Sequence, residues 1–352
     1  MPPIPILVKN VRSPHHRQSM KLLLIILLAS LPWFKTTNAL AKPSAAKILR
    51  NLYSDNRKKS SPSAIILPGV HDALSAKIYA NAGAKALFLS GFGVSACRLG
   101  QPDVGILTLT EMEDTLRSVV QAAGDIPVIV DGDTGYGGAI NVRRTVRAFA
   151  AAGGAAVTIE DQVFPKKCTY AAGEGVRVVS RQECFARVKA ALEARDEARD
   201  IDGNEILIIA RTDCRAASGF EEALERCRMF EELGADVCYA ENLQSQEEYE
   251  HLRGQLMPST ATVLAQVETG DTEQSLYTAQ NIADMKYDFA LFGVTALQAY
   301  VRSLEMSASL MMTPASSGFV GKSNLDIASF DNLKSSIGFE DSESFQARYD
   351  EL

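Results

Sequence analysis

The chain has 352 residues, of which 46% are hydrophobic and 22% charged, with 24 Gly, 13 Pro and a formal net charge of −7. This composition excludes a disordered, collagen-like or coiled-coil chain. The acidic balance excludes a general nucleic-acid binder, which needs a basic face, and six Cys in a chain this long do not make a disulfide scaffold.

The first forty residues differ in kind from the rest. No Asp or Glu precedes Asp55, while Lys9, Arg12, Arg17 and Lys21 lead into an apolar run from Leu22 to Leu31, followed by Ala39-Leu40-Ala41. A basic start, a short apolar core and a small-x-small site describe a signal or targeting presequence over residues 1–41. The run is about half of the roughly 20 residues that span a bilayer, so no permanent membrane anchor is expected. Met20-Lys21 would make a compact start of its own, which leaves Met1 and Met20 both open as the start. Residues 1–41 hold five of the 36 Lys/Arg and none of the 43 Asp/Glu, so the remainder is more acidic, near −12. All six Cys lie in that remainder at irregular spacing. The expectation is entry through the secretory route and delivery to a reducing organelle such as a plastid, rather than secretion.

From there, apolar β-rich runs alternate with amphipathic stretches. Strands are expected at Ala64–Pro68, Ala86–Ser90, Pro127–Asp131, Ala155–Glu160, Glu205–Ala210, Asp236–Ala240, Ala261–Gln266 and Phe289–Phe292. Helices are expected at Leu74–Ala82, Glu111–Ala123, Val142–Ala152, Arg181–Arg199, Phe220–Leu233 and Thr272–Met285, with Gly83, Gly153 and Gly234 as terminal caps. Alternation implies a parallel sheet, and continuously apolar strands imply burial on both faces. Eight such units over roughly 250 residues predict a (β/α)₈ TIM barrel. An open doubly wound sheet is the alternative, and no Gly-rich dinucleotide fingerprint follows the first strand. The apolar helix Thr295–Met312 needs a partner, in its own barrel or another subunit's, and residues 316–352 read as a polar tail behind a 42–315 barrel.

In such barrels the active site forms where strands end. Those positions hold Ser90-Gly91, Asp131 and Asp133 in DGDTGYG, Glu160-Asp161, Arg211 and Asp213 in ARTD, Glu241 in AEN, and Gln266 with Glu268. Asp131, Asp133 and Glu160 are hard oxygen donors without a nearby His, a set that suits Mg²⁺ or Mn²⁺ rather than Zn²⁺. The plain alternative is that these acids cap helices. Cys168 follows Lys166 and Lys167 in a loop continuing into AAGEG, a candidate lid. Neighbouring cations favour a thiol's ionised form and make it a usable acid or nucleophile. His71 and His251 carry no comparable case.

These residues resemble the isocitrate lyase/phosphoenolpyruvate mutase superfamily. The matching stretches are LPGVHDALSAKIYANAGAKALFLSG, GVSACRLGQPD, DGDTGYGG, IEDQVFPKKC and IIARTD, and the resemblance runs from Ile65 to Met312. It is strongest to 2-methylisocitrate lyase-like, dimethylmalate lyase-like and carboxyvinyl-carboxyphosphonate phosphorylmutase-like proteins. The resemblance implies a barrel whose C-terminal helix swaps between subunits in a homotetramer, a dimer of dimers. It implies that Ser90 and Gly91 hold a 2-oxo-acid carboxylate and that Asp131, Asp133 and Glu160 hold Mg²⁺ directly or through water. Asp103 in GQPD matches a family active-site acid, Arg211 stabilises developing negative charge, and Glu241 and Gln266 join the substrate site. The implied reaction is retro-aldol cleavage of a 2-hydroxy di- or tricarboxylate to a 2-oxo acid, with Cys168 as general acid beside Lys166.

Lyases of the superfamily resemble this chain in carrying PK(K/R)C, whereas its true phosphoenolpyruvate mutase has Asn where Cys168 stands, so the resemblance at this position favours carbon–carbon cleavage. Related lyases continue KKCGH or KRCGH, whereas here Thr169-Tyr170 follows the Cys. Many relatives also have Asn where Gln266 stands. Phosphonate or phosphoenolpyruvate transfer, and a barrel that has lost its reaction, are the alternatives.

Overall fold

The computed structural model describes residues 42–169, 175–270, 275–312 and 327–350, so the expected presequence and Tyr170 lie outside the described residues. Eight strands pair in parallel in chain order: β1 (Ile65–Val70), β2 (Leu87–Leu89), β3 (Val128–Asp131), β4 (Ala156–Glu160), β5 (Leu207–Thr212), β6 (Val237–Ala240), β7 (Ala261–Gln266) and β8 (Phe289–Phe292). The barrel closes where Ile65 to Pro68 of β1 register against Phe289 to Phe292 of β8. The chain therefore folds as a (β/α)₈ TIM barrel, and the open-sheet alternative is excluded.

Thirteen helices surround or follow these strands among the described residues. They are α1 (Ala45–Arg57), α2 (Ala73–Asn81), α3 (Gly91–Val94), α4 (Leu109–Ala123), α5 (Ala139–Ala151), α6 (Arg181–Asp200) and α7 (Cys214–Ser218). Then come α8 (Phe220–Leu233), α9 (Gln246–Gln255), α10 (Ala279–Asp284), α11 (Thr295–Met312), α12 (Phe330–Ile337) and α13 (Phe339–Asp350). None is long and apolar enough to cross a membrane. Helix starts follow side-chain capping: Thr108 and Glu111 form a reciprocal box that begins α4 at Leu109, ahead of the expected Glu111. Gly83, Gly153 and Gly234 take φ of 90°, 90° and 86° at helix ends, as their cap roles require.

Three stretches differ from expectation. Of the helix expected at Thr272–Met285, the described residues 275–278 are not helical and α10 begins at Ala279; Gln266 Oε1 accepts from Tyr277 N at 2.7 Å and Nε2 donates to Tyr277 O at 2.9 Å. Ser329 caps α12 within the stretch read as a polar tail, and Lys77 Nζ of α2 donates to Ile337 O at 3.1 Å. Helix α1 had no expected counterpart. It lies across the N-terminal mouth, where Arg57 meets Asp288 at 2.5 and 2.7 Å and Arg50 meets Asp236 at 3.1 Å.

Two apolar layers follow from the two-residue period of a strand. Leu67, Phe88, Ile129, Ile209, Tyr239, Val263 and Phe289 point into the barrel and pack with Leu49 and Tyr53 of α1. Their neighbours Leu89, Val130, Ile208 and Leu264 point outward against Met112, Phe149 and Phe230 of the helices. Helix α11 departs from this packing: only Leu297 is buried, while Tyr300, Val301, Leu304, Met311 and Met312 are exposed.

The β1–β8 seam is tight enough to be tested. A Cβ at Gly69 would lie 2.1 Å from Gly293 O, whereas one at Gly254 on exposed α9 meets nothing within 4 Å. Gly69→Ala should destabilise the fold by ~3 kcal/mol or more, and Gly254→Ala should stabilise it by about 0.5–1 kcal/mol, both read by thermal unfolding.

Candidate active site

At the C-terminal strand ends the inward-facing series turns polar without changing its parity. Ser90 follows Phe88, Asp131 follows Ile129, Arg211 follows Ile209, Glu241 follows Tyr239, and Glu160 lies four residues, two inward steps, beyond Ala156. All five line one cavity with about 80 Å³ of free volume, together with Asp103, Gln162, Lys166, Cys168 and Gln266. Phe88, Phe92, Tyr239 and Val294 supply its apolar wall. With a water needing roughly 10–15 Å³ on this measure, the space suits a small acid rather than a nucleotide.

Arg211 is the cation at the strand side. Its Nη2 lies 2.7 Å from Asp213 Oδ1 and 3.3 Å from Glu241 Oε2, and its Nε lies 3.5 Å from Glu160 Oε2. The guanidinium also stacks 5.3 Å from the Tyr239 ring centre. Lys166 is the second cation, brought in by the segment after β4. Its ammonium sits 2.8 Å from Asp103 Oδ1 and pairs with Asp133. Asp131 accepts from Gly91 N at 3.3 Å, Asp133 N at 3.2 Å and Thr158 Oγ1 at 3.1 Å. A Cβ on Gly91 would lie 3.0 Å from Asp131 Oδ2, a tight approach that glycine avoids. Asp133 holds a left-handed φ of 48°, a conformation that costs energy for a side-chain-bearing residue.

The acids titrate differently because their surroundings differ. Burial opposes the charge on Asp131, yet Lys166, Arg211 and its hydrogen bonds hold it below the usual carboxylate range. Burial pushes Asp133 up to about 7, with Asp131 and Asp103 adding to the shift and Lys166 opposing it. Burial also raises Glu160 well above its ordinary value, reinforced by Asp213 and opposed by Arg211. Lys166 stays protonated against its burial because Asp133, Asp103 and Glu160 surround it.

The three expected metal-binding acids, Asp131, Asp133 and Glu160, are all buried at this end of the barrel. No group of three His, Cys, Asp or Glu side chains among the described residues is arranged as a metal cage. The Lys166 ammonium pairs with Asp133, which is not among the residues lining the cavity. Asp131 and Glu160 do line the cavity, and Glu160 Oε1 is buried without a hydrogen-bond partner. Asp103, Asp131, Asp133, Glu160, Asp213 and Glu241 are buried at this end, with Lys166 as the buried ammonium and Arg211 nearly as enclosed. Excess buried negative charge and an orphaned carboxylate oxygen fit a hard divalent cation held by one or two carboxylates.

Other expected residues fall in distinct places. Gln266 lines the cavity, but its amide is engaged by the Tyr277 backbone. Asp161 turns away and accepts from Thr212 Oγ1 at 2.5 Å, Arg226 at 2.9 Å and Asp213 N at 2.9 Å. Glu268, His71 and His251 do not line the cavity; the two rings stack on Tyr300 and Phe220 at 5.8 and 5.4 Å. None of the six Cys forms a disulfide, Cys97 is exposed, Cys168 is half-buried, and the other four are buried. Two residues carry more than the sequence indicated: Gln162, whose amide brackets the Lys167 backbone at 2.9 Å on both sides, and Thr169, which donates to Asp213 at 2.7 Å. Gln162 lies within IEDQVFPKKC and Thr169 directly after it, but neither contact can be read from the motif.

Residues 57–309 match the family described as phosphoenolpyruvate phosphomutase. The 2,3-dimethylmalate lyase of Eubacterium barkeri is 43% identical over 55% of this chain and 64% of its own length, just under two thirds. The chloroplastic carboxyvinyl-carboxyphosphonate phosphorylmutase of Arabidopsis thaliana is 34% identical over 82% of this chain and 81% of its own. A solved 2,3-dimethylmalate lyase, described as a member of the phosphoenolpyruvate mutase/isocitrate lyase superfamily, superposes with a TM-score of 0.75 at 30% identity, covering 88% of this chain and 99% of that one. A phosphonopyruvate hydrolase solved with oxalate and Mg²⁺ superposes with a TM-score of 0.71 at 26% identity, covering 87% and 99%.

Asp133 yields a pH test in chelator-treated protein. The folded state keeps the Asp133 proton up to about pH 7, whereas the unfolded chain releases it near about 4. The stability this proton brings is therefore present at low pH and lost as pH rises through 7. Asp133→Asn, which cannot ionise, should gain in Tm over wild type between pH 5 and pH 8. A Tm difference flat across that range would contradict the assignment.

Proposed function

Since the chain belongs to the phosphoenolpyruvate phosphomutase family, within the isocitrate lyase/phosphoenolpyruvate mutase superfamily of lyases and mutases, we propose that it is a carbon–carbon lyase. The proposed substrate is a 2-hydroxy di- or tricarboxylate of the 2-methylisocitrate or substituted-malate type, cleaved to a 2-oxo acid and a second carboxylate. The observation that carries this reading is the placement of the Cys168 thiol on the same small cavity as Asp131, Glu160 and Arg211. A proton donor and an anion-stabilising cation on one cavity are what a retro-aldol cleavage needs.

Asp131 and Glu160 would hold Mg²⁺ or Mn²⁺, with Asp133 contributing directly or through water; when bound, the ion polarises the substrate's hydroxyl and carboxylate oxygens. The solved relative with Mg²⁺ and oxalate supports this choice. Ser90 and Gly91 bind the carboxylate that becomes the 2-oxo acid's, and Glu241 and Gln266 border the substrate. Arg211 stabilises negative charge developing on the substrate oxygens in a site where few waters compete. As the hydroxyl proton passes to solvent or a neighbouring carboxylate, the C2 oxygen becomes the carbonyl of the 2-oxo acid and the C2–C3 electron pair moves onto the leaving carbon as an enolate-like carboxylate. The Cys168 thiol protonates that carbon and its thiolate regains a proton from solvent. Lys166, with Asp103 and Asp133, anchors the segment that carries the thiol.

The exposed apolar face of α11 supports a homo-oligomer in which a second copy covers it. The basic residues 1–41 and the chloroplastic relative support delivery to an organelle.

The test is release of 2-oxo acid from a panel of 2-hydroxy di- and tricarboxylates with Mg²⁺, using protein beginning near Lys42. Cys168→Ser should lower kcat by about 10²–10⁴-fold. A panel that stays silent with wild type while the ion still binds would sink the lyase reading and favour the phosphorus chemistry named for the Arabidopsis relative.

A further inference from the structure

The segment after β4 is fastened to the barrel at successive points, and Cys168 lies between them. Upstream, Lys166 pairs with Asp103 at 2.8 Å, and Gln162 brackets the Lys167 N–H and C=O at 2.9 Å each. Downstream, the Thr169 hydroxyl donates to Asp213 Oδ1 at 2.7 Å, with Thr169 only 6% exposed and Asp213 fully buried. That oxygen also accepts from Arg211 Nη2 at 2.7 Å, while Asp213 Oδ2 takes Arg211 Nε at 3.2 Å. Asp213 is itself fixed, since its N–H donates to Asp161 Oδ1 at 2.9 Å and Arg226 holds Asp161 at 2.9 Å. The thiol-bearing segment and the guanidinium are thus referenced to one carboxylate oxygen.

We propose that Thr169 is a positioning residue that sets the Cys168 thiol relative to Arg211 through the shared Asp213 carboxylate. The proposal rests on the lyase reading for its kinetic consequence but not for its structural one. A hydrogen bond to a buried charged acceptor shifts an equilibrium by roughly ten- to hundredfold. The β-branched side chain adds stiffness, because its χ1 has few wells in which to wander. Loss of the hydroxyl alone leaves Asp213 and Arg211 paired and frees the Cys168 side of the contact.

The experiment compares wild type with Thr169→Val, which keeps the shape and loses the hydroxyl, and Thr169→Ser, which keeps the hydroxyl. Alkylation of Cys168 by iodoacetamide is followed by peptide mapping, with exposed Cys97 as the internal reference. Thr169→Val should speed Cys168 alkylation about fivefold or more relative to Cys97. On the best acid of the panel, kcat should fall about tenfold with KM within twofold. Thr169→Ser should stay within twofold of wild type on every readout. Thr169→Val matching wild type, or both variants failing alike, overturns the proposal. If wild type turns over no acid, the lyase reading fails and the alkylation ratio alone upholds or overturns the tether. Should Thr169→Val not fold, Thr169→Ala replaces it with the same expectations.

Discussion

Strand parity governs where everything else in this molecule can go. Eight parallel strands closed on themselves send alternate side chains inward, and the inward rows are apolar until the C-terminal turn of each strand. There the same rows deliver Ser90, Asp131, Glu160, Arg211 and Glu241 to one cavity. The apolar layer beneath them, from Phe88 and Ile129 to Tyr239, keeps water from approaching from below. Burial of the acids is thus a consequence of the fold, and it creates an electrostatic demand that strand residues alone do not meet, since Arg211 is the cation they supply.

Lys166 answers that demand from outside the strands. Its ammonium among Asp103 and Asp133 offsets charge that would otherwise destabilise the barrel's upper layer. The same contact fixes the loop that carries Cys168 two residues later. Neutralising the acids and placing the thiol are therefore one structural event. Asp161 shows the contrasting solution: one residue past Glu160, its opposite parity sends it toward Arg226, Thr212 and Asp213 N, where it braces β5 instead of facing the cavity.

Much of this was legible in the sequence because it depends on period and position. The strand ends carrying Asp131, Glu160, Arg211 and Glu241 could be read from apolar runs that stop at polar residues, and Gly83, Gly153 and Gly234 marked helix ends through their need for positive φ. What stayed hidden depends on contacts distant in the chain. Helix α1 precedes any strand, and its place at the barrel mouth is set by Arg57 with Asp288, 231 residues away. The pairing of Lys166 with Asp133 could not be read from PKKC, because it joins residues 33 positions apart. Helix α10 starts only at Ala279, after Gln266 has engaged both backbone groups of Tyr277, a side-chain contact that no helical period signals.

The pairing of Asp133 with Lys166 has a further consequence. One carboxylate oxygen cannot keep a close ammonium contact and also donate fully to a hard cation. Asp133, which Lys166 already engages, is therefore less available to such an ion than Asp131 and Glu160, which line the cavity. Its left-handed backbone is a costly conformation that the surrounding contacts hold in place. Lys166 and Cys168 share a short segment, so the contacts that hold the ammonium also limit where the thiol can lie. Thr169 limits that position from the other side, because its acceptor, Asp213, is fixed by Arg211 and by Asp161. Contacts on both sides of the thiol, Lys166 with Asp103 and Thr169 with Asp213, hold its segment at the cavity wall.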